Sequence, residues 1–94
     1  MADGSTAISV TLRERDGQYG SFNTCAAGAQ KLKAAMGTSY NWPYLDADMR
    51  EALELIATKI ARILNGNPDV HDHWHDIVGY ASLVAETLDK TEPN

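Results

Sequence analysis

From Asp46 to Lys90 the chain reads DADMREALELIATKIARILN, then GNP, then DVHDHWHDIVGYASLVAETLDK. In the first run Leu53, Ile56, Ile60 and the Ile63/Leu64 pair recur three and four apart, and Leu55, Ala57 and Ala61 broaden the stripe. That is the period of a helix with one face turned to a core. Asp46 and Asp48 stand where the positive end of a helix dipole favours carboxylates. Asn65-Gly66-Asn67-Pro68 then stops the run, since proline cannot continue a helix. The second run predicts another helix, with Trp74, Ile77, Tyr80/Ala81, Val84 and Leu88 on its buried face. A connection this short folds the two helices back on each other as antiparallel neighbours. The apolar arc of the first helix is wider than a surface helix needs, which predicts a central position or a face shared with a second subunit.

Upstream, Phe22, Cys25, Ala26, Ala29, Leu32 and Met36 recur at helical spacing, with Ser21 placed to cap the start and Gly37 to end the helix. Between this helix and Asp46 lies an aromatic loop with Tyr40, Trp42, Pro43 and Tyr44, read as a lid over the core, with a stacking surface as the alternative. Over residues 7–15 the signals conflict, because Ile8, Val10 and Leu12 alternate as in a strand while Ile8 and Leu12 also share a helix face. No second segment offers a strand partner, so a short helix is expected there. The predicted fold is all-α, a small antiparallel bundle of three to four helices. Residues 1–6 are expected to form a flexible leader, 7–90 a single helical domain and 91–94 a tail.

Ninety-four residues make one small domain. A chain this short buries only about 60–65% of its unfolded surface, so its core is modest. The net charge of −5 disfavours nonspecific contact with nucleic acid or an anionic membrane, so no direct DNA binding is expected, while leaving room for one small basic pocket. The lone Cys25 cannot build an internal disulfide framework and reads as a packing residue. Neither a signal-peptide pattern at the start nor an apolar run of about 20 residues is present, so a cytoplasmic protein is expected.

Several residues stand out chemically. Glu51 and Glu54 are three apart, hence neighbours on one helix face. With Asp72 or Asp76 from the next helix they would offer the oxygen ligands that magnesium requires. The competing reading is a solvated acidic face. Lys59 and Arg62 interrupt an apolar run, where long cations either snorkel to water or meet an anion. That anion is either a ligand phosphate or the Asp76 carboxylate. His71 and His75 share a helix face without a third zinc ligand, and the histidines are read as decorating the start of their helix, with Asp72 capping it. Gly79 inside a helix costs roughly 1 kcal/mol relative to alanine, which points to a tight crossing there.

Tyr19-Gly20-x-Phe22, Lys59-Ile60-Ala61-Arg62-Ile63 and Asp72-x-Trp74-x-Asp76-Ile77-x-Gly79-Tyr80 resemble a family of small phage and prophage proteins of unknown function. More distantly the arrangement is similar to nucleotide-modification-associated domains and the MazG-like nucleotide pyrophosphohydrolases. That resemblance implies a MazG-like helix pair at the centre of the bundle, a magnesium cofactor and pairing into a homodimer or higher homo-oligomer. It places Glu51, Glu54 and Asp76 as metal ligands, while the remaining ligand position of the pattern falls on His73. Ligand contacts are expected from Lys59, Arg62, Trp74 and Tyr80. Two functions follow as expectations. One is a phage-type accessory protein with a nucleotide-related role, as a divergent magnesium-dependent nucleotide pyrophosphohydrolase. The other is a non-catalytic binding protein that sequesters a nucleotide signal or inhibits a host defence protein.

Overall fold

The computed structural model describes residues 21–91; the leader, the short helix expected over 7–15 and the last three residues lie outside that range. Three helices follow in order: α1 (Phe22–Gly37), α2 (Ala47–Asn65) and α3 (His71–Thr91). A single 3-10 turn, Trp42–Tyr44, lies between α1 and α2, and no strand occurs among the described residues. The all-α bundle expected from the periodicity is therefore present.

α2 is the shared element. It packs on α1 along one side and on α3 along another, while α1 and α3 hardly meet. Lys59 of α2 reaches Asp76 near the start of α3, and Leu45 and Met49 at the other end approach Val84 and Leu88. The α2–α3 hairpin is thus antiparallel. Its turn is braced locally: the Asn67 side-chain oxygen accepts from the Asp69 N–H at 2.9 Å, and the His73 N–H donates to the Val70 carbonyl at 3.2 Å.

The core is a seam of small residues. Cys25 and Ala29 of α1 are buried with Ala52, Ala57 and Ala61 of α2, joined near the hairpin turn by Val70 and His73. Small side chains let helix axes come close, and Gly28 marks one such close approach. A Cβ added there would stand 2.8 Å from Asn65 Nδ2 and 3.6 Å from Ala61 Cβ. Cys25 is the buried packing residue its position on the wheel implies.

Several finer expectations are corrected. Gly79 is exposed, and a Cβ there would meet nothing within 4 Å, so the tight crossing belongs to Gly28. The inward face of α3 is not centred on Trp74, which is 53% exposed. Val70, His73, Ile77, Tyr80 and Val84 form that face instead, at alternating steps of three and four. His73 accordingly turns inward at 3% exposure, while His71 and His75 stay outside. Asp72 lies within the first turn of α3 and is not its cap. Ser21 and Asp46 hold the N-cap positions of α1 and α2, yet neither side chain accepts a capping hydrogen bond. Tyr40 and Tyr44 do not lid the core: their rings lie 5.9 Å apart and are 85% and 74% exposed. Pro43 holds this link in a tight 3-10 turn, so the two rings meet each other and face outward.

Candidate functional site

The polar chemistry collects on α2, one turn before its end, and divides between two faces. Lys59 points to α3, where its Nζ lies 2.9 Å from Asp76 Oδ2. Both groups are partly screened from water, with side chains 22% and 37% exposed. The hydrogen bond from Lys59 holds the Asp76 carboxyl below its ordinary range; burial works against that shift, and the Lys59, His75 and His73 charges add to it. His73 lies in the same region, buried between the helices. Burial pushes its imidazole below the usual value, and the Lys59 and Arg62 charges push the same way, against Asp76 and Asp72. A neutral imidazole is the resident form at neutral pH.

Arg62, three residues on, is turned toward α1. It lines a groove between α1 and α2 with Thr58 and, from α1, Phe22, Cys25, Gln30 and Lys33. α1 carries no acidic residue, and neither Arg62 nor Lys33 has a carboxylate partner among the described residues. A locally basic groove therefore sits in an acidic protein. It encloses about 170 Å³, less than the roughly 300–1,000 Å³ of sites that engulf a drug-sized ligand.

A second groove, of about 360 Å³, runs between the first half of α2 and the second half of α3. Tyr80, Leu83 and Val84 line it together with Asp48 and Glu51. Its charged groups are acidic, the wrong sign for a phosphate. A third, wholly apolar groove involves Met49, Leu53, Ile56, Val84 and Leu88.

No protein-family model matches the chain, and no curated protein or solved structure matches it either. The site therefore has to be read from its own residues.

The residues singled out in the sequence do not converge. Arg62 lines the α1–α2 groove, Tyr80 the acidic one, and Lys59 is held by Asp76. Trp74 serves the turn: its indole N–H donates to the Pro68 carbonyl at 2.7 Å. Glu51 is exposed at the rim of the acidic groove, Glu54 is half-buried elsewhere on α2, and Asp76 faces Lys59. Among the described residues no three His, Cys, Asp or Glu side chains gather as a metal-binding group. Glu51, Glu54 and Asp76 thus do not supply the oxygen cage magnesium needs, and the donor set does not fit that ion. Lys33 and Gln30 are the groove residues that sequence reasoning passed over. Lys33 follows Ala29 by four, which puts it on the groove side of α1 and was the available signal, while Gln30 lies at the rim.

Proposed function

We propose that this protein is a non-catalytic binding protein for a nucleotide-type anion, an accessory protein of the phage type that sequesters its ligand without a metal. The observation that carries this reading is the α1–α2 groove, where Arg62 and Lys33 stand together with no acidic partner among the described residues. A guanidinium takes two phosphate oxygens at once, and an ammonium adds a point charge beside it. Gln30 and Thr58 offer further hydrogen bonds, and the exposed Phe22 ring offers a face for a base. The small volume suits a phosphate and sugar, with the base lying along the rim. The pyrophosphohydrolase reading lacks its central requirement, since the candidate carboxylates are not gathered.

Calorimetric titration with mono-, cyclic and dinucleotides, in EDTA and in magnesium, tests the proposal. Binding is expected to persist in EDTA and to weaken at least tenfold in Arg62→Ala and in Lys33→Ala, a loss of about 1.4 kcal/mol or more. Absence of binding to every nucleotide, or magnesium-dependent release of pyrophosphate, would overturn it. A second reading, inhibition of a host protein, draws support from the exposed Tyr40–Tyr44 pair, because paired exposed aromatics suit protein interfaces. Tyr40→Ser with Tyr44→Ser would abolish that function and leave nucleotide binding intact.

A further inference from the structure

All three histidines of the chain fall within the first five residues of α3, and they occupy two different environments. His71 and His75 lie outside with their rings stacked, centroids 5.5 Å apart and planes 20° from parallel. His73 lies inside, 3% exposed, where α3 leaves the turn and packs on α2. Among the described residues, charged groups that act on it include Lys59 and Arg62 from α2, and Asp72 and Asp76 from α3 itself. Asp76 is already matched by Lys59 at 2.9 Å, and the Asp72 side chain is 80% exposed, where water screens it. α1, the remaining helix, hardly contacts α3 and adds no carboxylate.

We infer that the start of α3 is an acid-sensitive latch, in which protonation of His73 in mild acid loosens the α2–α3 hairpin at its turn. Geometry and charge point the same way. A proton on His73 would charge a buried imidazole that already feels the Lys59 and Arg62 charges. It also adds positive charge at the end of α3 where the helix dipole is already positive. The sign follows from linkage. A histidine whose proton affinity is lowered by folding leaves stability intact above about pH 6.5, where both states are neutral. Stability falls as the pH drops below that, because the unfolded chain takes the proton first, and the loss is complete once the folded form is protonated as well. Opening would begin at Val70 and His73, the two buried residues of the turn end, and would release Asp76 from Lys59.

Amide hydrogen exchange at pH 7.5 and 5.5, corrected for intrinsic rates, reads the latch on the full chain. Protection over residues 70–78 is expected to fall at least tenfold in acid relative to that of α1, whose buried residues include no titrating imidazole. In parallel, the ring protons of His73 are expected to titrate with a midpoint below the ordinary histidine value of 6.5. His73→Gln, which cannot titrate in this range, is expected to lose the acid response, whereas His71→Asn with His75→Asn retains most of it. Should His73→Gln fail to fold, the wild-type ring titration still decides. A His73 midpoint at or above 6.5, or equal loss of protection in α1 and α3, would overturn the latch.

Discussion

Lys59 Nζ lies 2.9 Å from Asp76 Oδ2, and among the described residues this is the ion pair that ties one helix to another. It sits between water and the interior, so its charges still feel solvent. The Asp76 carboxyl is held below its ordinary value, chiefly by the hydrogen bond from Lys59. Folding therefore gains from the ionised form, a contribution complete above the unfolded value near 3.8 and lost as the pH falls through the lower folded value. Asp76→Asn is expected to lower Tm at pH 7 and to converge with wild type in strong acid. Thermal melts followed by circular dichroism from pH 7 to 2 check this. Equal Tm values at pH 7 would show that the pair contributes nothing.

Gly28 and Gly79 should respond differently to substitution. Gly79→Ala meets open space, so it is expected to stabilise by about 1 kcal/mol through helix propensity alone. At Gly28 the same propensity gain is offset, because the new methyl must push Asn65 Nδ2 off the Ala61 carbonyl, which it bonds at 2.9 Å. Losing that bond costs roughly 0.5–1.5 kcal/mol, leaving Gly28→Ala near neutral. Gly28→Leu cannot be absorbed by one flexible side chain and is expected to destabilise by about 1–3 kcal/mol. Urea denaturation midpoints of the three variants provide the measurement.

Ala61 is 1% exposed and faces α1 beside Gly28. Ala61→Leu would force α1 and α2 apart and is expected to cost about 1–3 kcal/mol, with no comparable loss for the exposed Ala85→Leu. A larger residue that stabilised position 61 would mean that the seam is not closely packed.

Trp74 is half exposed, so its main contribution is the hydrogen bond to the Pro68 carbonyl. Trp74→Phe keeps most of the apolar area and removes the donor. A loss of about 0.5–1.5 kcal/mol is expected, with faster amide exchange confined to residues 66–73. A variant as stable as wild type, with unchanged exchange, would assign the indole no role in the turn.

The helices were legible in the sequence because their stops are strong: Gly37, then Asn65-Gly66-Asn67-Pro68. The rotation of α3 was not. Trp74-x2-Ile77-x3-Ala81-x2-Val84 and Val70-x2-His73-x3-Ile77-x2-Tyr80 are equally good helical stripes, and hydrophobicity favours the one that contains tryptophan. Packing selected the other, since the Trp74 indole has a backbone carbonyl to reach outside the core. The candidate site misled for a related reason. Lys59 and Arg62 are three apart, which on a helix leaves them about 60°, a sixth of a turn, from alignment. That offset is enough to send one to α3 and the other to α1. Spacing within one helix also cannot show where a carboxylate from the next helix will point. Asp76 was already matched to a cation.

A core lined by Cys25, Ala29, Ala52, Ala57 and Ala61 holds little side-chain area to expose when it comes apart. The heat-capacity change of unfolding scales with that area and averages about 12–15 cal/mol/K per residue in ordinary domains. This chain should fall below the average. Its denaturant dependence should be shallow for its length, and its free energy of unfolding should vary little between cold and warm conditions.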